Sequence, residues 1–328
     1  MKKCFVGIDT SNYTTSLAVC DEDGEILLNL RKLLSVKEGE RGLRQSDAVF
    51  EHVRNMPVHT EKARELLSNC DVCAVACSSK PRDAAESYMP CFLAGKNTAY
   101  AMASVLGVPT YEFSHQNGHI MAAAYSSGKH TELLKSPFCA FHISGGTTEI
   151  LRVTPTFDSR IFTAELVGGT NDLNAGQAID RTGVLMGIKF PCGKEMESLA
   201  AEYCGKVPSP KISVKGLNCD LSGLESLAAK LYGETRDKRL VSKFVLDFLS
   251  RTFIKMTENL LDMYPDTPLL YAGGVMSNKY LQACIGERFK SSFATPEFSA
   301  DNAAGIALLC RERYIRGGNA WVGSQQQC

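Results

Sequence analysis

The chain opens on short apolar runs separated by small polar breaks. Residues 5–8 and 16–19 are apolar stretches joined by a hydroxyl-rich turn, a pattern that predicts a hairpin. Helical spacing over 61–67 leads into a second apolar run at 72–77, which predicts a helix followed by a strand. Residues 92–106 read as a helix stopped by Gly107-Val108-Pro109, with a short strand running on to Ser114. Between Ser126 and Pro137 the sequence turns polar, with Gly128 and Lys129, before a fresh strand begins at Phe138. Between Ala201 and Leu261 no heptad and no long amphipathic stripe stands out. Strand and helix patterns alternate, which is α/β order, and a lobe boundary belongs in the polar stretch: 1–132 on one side and 138–300 on the other.

Two of these strand–turn–strand units match one another. Residues 6–17 can be laid over 140–151, each reading strand, small polar turn, strand. The tips carry glycine or hydroxyl residues whose backbone N–H groups can approach phosphate oxygens. A third element, 269–281, runs from a strand through Gly273-Gly274 to a helix start near Ser277 or Asn278, where a nucleoside can lie against bare backbone. Each turn alone is an ordinary hairpin or cap. Together they predict a duplicated, two-lobed nucleotide clamp.

Length agrees, since 328 residues exceed the single core of about 250–300 residues. Hydrophobic residues at 44% are enough for sizeable cores. Thirty-six basic residues balance thirty-six acidic ones, so a nucleic-acid substrate needs a local patch or a partner. The start MKKCFVGIDT breaks at once into Gly7 and Asp9 and reads as a strand, not a signal peptide. No run approaches the ~20 apolar residues of a membrane span. Thirteen cysteines scattered through apolar segments suit reduced thiols, and the expectation is a cytoplasmic protein. Cys70, Cys73 and Cys77 fall in a strand pattern, where residues three apart face opposite sides, which disfavours a metal cluster.

His115 and His119 sit four apart behind Ser114, a helix-capping residue, so both imidazoles share one face. Such a pair serves equally as core or surface polarity, or as two ligands of one ion whose third comes from elsewhere; Asp301 is the best carboxylate. A zinc protease of the His-Glu-x-x-His kind is disfavoured because Gln116 occupies the place of its glutamate.

The ordered string of hairpin, His-x-x-x-His, Ser144-Gly145-Gly146, Asn174-Ala175-Gly176-Gln177-Ala178-Ile179-Asp180-Arg181, Phe190-Pro191-Cys192-Gly193, Leu221-Ser222-Gly223-Leu224, Gly273-Gly274-Val275-Met276-Ser277-Asn278 and Ala300-Asp301-Asn302 resembles the TsaD-type tRNA threonylcarbamoyltransferases, once misnamed O-sialoglycoprotein endopeptidases. The resemblance runs from Gly7 to about Leu309. It implies an actin/hexokinase-type (ASKHA) fold with duplicated ribonuclease-H-like domains, the residues from 301 to 328 packing back on the first lobe. It implies one divalent metal ion, iron or zinc, on His115, His119 and Asp301. Threonylcarbamoyl-AMP or another adenylate would be contacted by His142, Ile143, Ser144, Gly145, Gly146, Asp180, Gly193 and Asn278. The acceptor would be an adenine next to the anticodon in tRNA, and the partners a TsaB-like pseudo-subunit and a TsaE-like ATPase. The amine attacks directly, so no catalytic side chain is assigned.

Several positions depart from the family pattern. Thr14 stands where the first hairpin carries an acidic residue, Thr147 where the glycine turn carries a histidine, Leu173 for an aspartate, Gln177 for a glutamate and Cys192 for a glycine. Residues 78–90 replace a glycine-rich turn, bringing Lys80 and Arg82. These changes fit a divergent paralogue as an alternative, either a carbamoyl or acyl transferase with another acceptor or a non-catalytic nucleotide-binding subunit. The basic run Arg236 to Arg239 with Lys243 reads chiefly as a solvated helix start.

Overall fold

The computed structural model describes residues 1–11, 13–35, 43–84, 86–158, 160–298 and 303–317. They form two compact units. The first holds Met1–Tyr125, Pro155–Thr163 and the described C-terminal residues 303–317; the second holds Ser126–Thr154 and residues 164–298. The excursion of Pro155–Thr163 into the first unit has no counterpart in the sequence pattern.

The first unit is built on β1 (Lys2–Ser11), β2 (Thr14–Asp21), β3 (Ile26–Leu33), α1 (Gln45–Ser68), β4 (Cys70–Lys80), α2 (Phe92–Leu106), β5 (Thr110–Ser114) and α3 (His115–Ser126). Its sheet runs β3-β2-β1-β4-β5, with β1 antiparallel to β2 and parallel to β4. Strand alternation sends Cys4, Val6 and Ile8 to one face, where they join Met56 and Ala63 of α1 and Ala99 and Ala103 of α2. The intervening Gly7 faces the other way: a Cβ there would lie 2.3 Å from Ala307 N of the C-terminal helix. Glycine at that place lets helix and strand backbones touch. Helix α2 ends on Gly107 in the left-handed conformation (φ 68°), the stop its position announces. Helix α1 is longer than the sequence reading, starting at Gln45 instead of 61 and running through Pro57. Its buried positions, among them Ala48, His52, Asn55, Met56 and His59, are in large part polar, which hid the apolar stripe.

After the short α4 (His130–Leu133), the second unit comprises β6 (Phe138–Ile143), β7 (Thr148–Pro155), β8 (Phe162–Thr170), α5 (Ala175–Leu185), α6 (Gly193–Ala201), β9 (Ser213–Lys215), β10 (Asn218–Asp220), α7 (Ser222–Thr235), α8 (Lys238–Met263), β11 (Leu269–Ala272), α9 (Lys279–Gly286) and β12 (Ser291–Phe293). Its seven strands run β12-β11-β6-β7-β8-β10-β9. Phe141, Tyr271 and Phe293 stack across three neighbouring strands at 4.6 and 5.3 Å between ring centroids. Helix α8 corrects the reading of residues 201–261: its 26 residues carry a buried stripe through Val241, Phe244, Val245, Phe248, Phe253, Met256 and Leu260. Buried serines and threonines at 242, 250, 252 and 257 interrupt that stripe in the sequence. The start of α8 is as read, with the Asp237 carboxylate accepting from the N–H groups of Arg239 and Leu240. The last helix, α10 (Ala304–Gly317), packs on β1 and α3 in the first unit.

Candidate functional site

The histidine pair of the first unit is held from behind by a buried acid. Ser114 Oγ accepts from Asn117 N at 3.2 Å and so starts α3 as its position announced, placing His115 and His119 on one face. His115 Nδ1 lies 3.0 Å from Asp9 Oδ1, and Asp9, near the end of β1, is fully buried. The Ser78 hydroxyl on β4 donates to the same carboxylate oxygen. On the other side of the ring, His115 Nε2 lies 2.9 Å from His119 Nε2, with the rings nearly perpendicular. The carboxylate accepts a hydrogen bond from Nδ1–H, which leaves the Nε2 lone pair of His115 directed at its neighbour. Two Nε2 atoms this close share one proton or turn both lone pairs to one cation. The carboxylate behind His115 suits the second, since such an acid raises ligand basicity and fixes the tautomer. The pair and its acid therefore fit a divalent ion. Asp301, the third ligand read from the sequence, lies outside the described residues, and among the described residues no group of three or more His, Cys, Asp or Glu gathers as a metal cage.

Close backbone packing fixes where this face sits. Gly118 lies between the two histidines, and a Cβ on Gly305 of α10 would fall 1.9 Å from its carbonyl oxygen. The loop after β4 is tied to the same helix. Asn117 Nδ2 donates to Asp83 Oδ2 at 2.7 Å, Gln116 N donates to Pro81 O, and Lys80 pairs with Asp83 at 3.3 Å. Lys80, at the end of β4, is thus in a local ion pair with Asp83.

Sequence reasoning missed Asp9 and a second buried network below the first hairpin. His52 Nδ1 lies 2.8 Å from Thr15 Oγ1, which also accepts from Asn55 Nδ2, and the Asn55 oxygen accepts from Lys32 Nζ at 2.7 Å. Burial lowers the pKa of His52 and of His59, so both are neutral. The signal for them was their spacing, since residues 52, 55, 56 and 59 lie on one helix face. Cys73 and Cys77 lie buried on β4, as the strand reading requires. Burial pushes the Cys91 thiol up to about 11, and the Cys73 and Cys77 thiols upward too, which makes them poor nucleophiles.

In the second unit, the residues read as nucleotide contacts gather around the ends of β6 and β11. Ser144 to Gly146 form the tip between β6 and β7, closed by Ser144 N donating to Thr147 O at 2.7 Å. The first turn of α5 lies directly beneath: Gly176 N donates to Ser144 O, and Asn174 Nδ2 to Gly146 O at 3.0 Å. Gly176 is required there, because a Cβ would lie 2.6 Å from Gly145 Cα. Gly145, Gly146, Gly193 and Gly274, in contrast, have nothing within 4 Å of where a Cβ would stand. His142 is half-buried and faces Glu149 across the ladder; Ile143 is core, so only its backbone is available to a ligand. Gly273, at φ 98°, packs against the carbonyl of Ile143. Asp180 Oδ1 accepts from Cys192 N at 2.8 Å, which tethers the start of α6 and Gly193. Asn278 Oδ1 accepts from Leu281 N and caps α9, so one side of its amide is engaged.

Most of the departures from the family pattern have structural duties. Leu173, Cys192 and Thr14 are buried, and Cys192 packs on Gly183, where a Cβ would come within 2.3 Å. Gln177 completes a capping box with Asn174. Thr147 lines an open cavity.

A profile of the family described as "TsaD: tRNA N6-adenosine threonylcarbamoyltransferase" matches residues 42–308. The chain belongs to that family. The family is one of transferases. The tRNA N6-adenosine threonylcarbamoyltransferase of Thermus thermophilus is 33% identical over 325 residues, covering 95% of this chain and 93% of that protein. Among solved structures, T. kodakarensis HypF superposes with a TM-score of 0.60 at 14% identity, over 96% of this chain and 48% of HypF. A ROK family glucokinase from Streptomyces griseus, in complex with glucose and AMPPNP, gives 0.51 at 13% identity over 94% of this chain and 99% of the glucokinase. These likenesses show the actin/hexokinase-type α/β fold. No helix among the described residues is long and apolar enough to cross a membrane.

Proposed function

We propose that this TsaD-family chain transfers the threonylcarbamoyl group from threonylcarbamoyl-AMP to the exocyclic amine of an adenine next to the anticodon in tRNA, with one divalent metal ion, iron or zinc, and in the cytoplasm. The observation that carries the reading within the family is the Asp9–His115–His119 chain, an acid-backed imidazole pair with Nε2 atoms 2.9 Å apart. His115 and His119 would hold the ion, with Asp301 as the expected third ligand. When bound, it would polarise the acyl carbonyl or hold the leaving phosphate.

The chain's own groups do the rest. The Gly145 N–H and the open Cβ positions of Gly145 and Gly146 suit close approach of phosphate oxygens, and the N-terminus of α5 beneath adds a favourable dipole. Asp180 suits ribose hydroxyls through its second oxygen. The amine nitrogen attacks the carbamoyl carbon, the bond to the phosphate oxygen breaks, AMP departs with that electron pair, and the amine loses a proton. No serine or cysteine nucleophile is needed, in keeping with the raised thiol pKa values. A TsaB-like pseudo-subunit and a TsaE-like ATPase are the proposed partners. The capping role of Gln177 and the burial of Leu173 and Cys192 support retained turnover over a non-catalytic paralogue, because these changes fall on packing.

The test is a transfer assay with purified protein, enzymatically made threonylcarbamoyl-AMP and unmodified tRNA, with and without the partner proteins, read by nucleoside mass spectrometry. Modified adenosine that disappears in His115→Ala is expected. No product from protein that binds metal and adenylate would sink the reading and leave the paralogue.

A further inference from the structure

A second recess in the same unit is not accounted for by the nucleotide contacts. It is an open cavity of ≈ 540 Å³ between the start of β7, the end of β8 and β10. Gly146 and Thr147 line one end; Gly168, Thr170, Asn171 and Asn218 line the other. Gly146 is the one residue it shares with the set read as touching the adenylate, so the cavity adjoins the glycine turn without coinciding with it. Backbone forms part of its wall: a Cβ on Gly168 would lie 2.4 Å from Leu217 O, and one on Gly169 2.5 Å from Thr148 O.

The chemistry of the lining selects a class of ligand. No lysine or arginine is among the described residues that line it, while Glu149 and Asp172 are. Burial would raise the Asp172 carboxyl, but hydrogen bonds from Ser222 and from the N–H groups of Leu221, Ser222 and Leu173 outweigh it and bring its pKa down to about 2. A phosphate or a free carboxylate, such as that of a threonyl group, meets repulsion there. The remaining polar groups are neutral. Asn171 Nδ2 is engaged with Asp220, and Asn218 Oδ1 accepts from Gly169 N at 3.1 Å. Asn171 Oδ1 then serves as an acceptor, Asn218 Nδ2 as a donor and the Thr147 hydroxyl as either, beside Thr148, whose hydroxyl accepts from Ala175 N, and Asn174, whose amide donates to Gly146 O. A neutral ligand with adjacent donor and acceptor atoms fits this set, and the volume lies in the range of small-ligand sites. An adenine edge, with its exocyclic amine beside a ring nitrogen, is such a group, and a side-chain amide is its usual reader.

We infer that this cavity receives the acceptor adenine of the RNA, with Thr147, Asn171 and Asn218 reading its edge. The inference rests on the transfer reading above and adds the place and the specificity-determining residues for the acceptor. It also gives Thr147 a role: a neutral hydroxyl stands in the wall of the base pocket.

Two measurements separate this inference from the reading it rests on. The first is binding of the full chain, with its partners, to synthetic anticodon stem-loops carrying either adenine or purine next to the anticodon; purine lacks the exocyclic amine. Wild-type protein should prefer the adenine RNA by about tenfold. Thr147→Val, which keeps shape, and Asn218→Asp, which keeps the acceptor for Gly169 N and removes the amide donor, should each reduce that preference severalfold. Equal binding of the two RNAs by wild type would overturn the inference whatever the transfer assay gives. Discrimination without transfer would uphold the pocket while the transferase reading falls. The second is steady-state transfer, where both variants should raise KM for tRNA with KM for threonylcarbamoyl-AMP unchanged. A rise in the donor KM alone would assign the cavity to the donor and overturn the inference.

Discussion

The contact between Gly305 and Gly118 makes the sharpest stability prediction. A Cβ built on Gly305 stands 1.9 Å from Gly118 O, where a carbon and an oxygen in contact need about 3.3 Å. Gly305→Ala therefore requires α10 and α3 to part by about 1.4 Å, the difference between those two distances. The helix has little room to yield, because Ala304, Ile306, Ala307, Leu308, Leu309 and Cys310 are all buried. Overpacking of a rigid backbone contact costs about 1–3 kcal/mol, and we expect about 3 kcal/mol here because the obstruction is backbone on both sides. Gly233 of α7 supplies the control, since nothing lies within 4 Å of its Cβ position. Gly233→Ala should stabilise by about 0.5–1 kcal/mol through reduced unfolded-state entropy and better helix propensity. Urea denaturation followed by far-UV circular dichroism measures both, and the same substitution should give opposite signs. Gly305→Ala within about 0.5 kcal/mol of wild type would refute the close helix contact. On the proposed reading, the Gly305→Ala protein should also retain less metal, because α3 carries both histidines.

Two further outcomes follow from the geometry. Gly146→Ala should leave stability within about 0.5 kcal/mol of wild type, since its Cβ position is open, yet weaken adenylate binding by about tenfold in calorimetry; unchanged affinity would remove the turn from the nucleotide site. His52 is kept neutral by burial, with its pKa below the ordinary value of about 6.5, so the unfolded chain takes up the proton first. Stability from this group is full above pH ~6.5 and is lost as pH falls through that value toward the folded pKa. His52→Gln should flatten the acid-side loss between pH ~7 and ~5 in thermal melts, leaving the part due to His59, and an unaltered slope would show that His52 does not titrate on unfolding.

Much of the candidate site was legible because it is written in local patterns. Gly107 and Ser114 act within one turn of the chain, so the helix ends they make could be read from neighbours alone. The matched hairpins at 6–17 and 140–151 appear as β1–β2 and β6–β7, because alternation over a few residues decides strand pairing across a short turn. The histidine face needed only the four-residue helical spacing. Where buried residues were polar, the hydrophobic pattern failed: α1 hides behind His52, Asn55 and His59, and α8 behind its serines and threonines.

The amino-acid sequence by itself determined the α/β order, the helix stops, the paired turns and the family, all of which depend on residues close in the chain or on motifs in a set order. Only the tertiary structure decided what those residues do to one another. Asp9 reaches His115 across 106 positions and Ser78 reaches Asp9 across 69. Thr15 meets His52 across 37, and Asp180 spends an oxygen on Cys192 N. The cavity beside Thr147 is likewise assembled from strands 22 and 70 residues apart at Thr148, Thr170 and Asn218. Such contacts leave no period in the sequence, since burial and hydrogen bonding between distant segments are set by the packing of strands and helices that local spacing cannot encode.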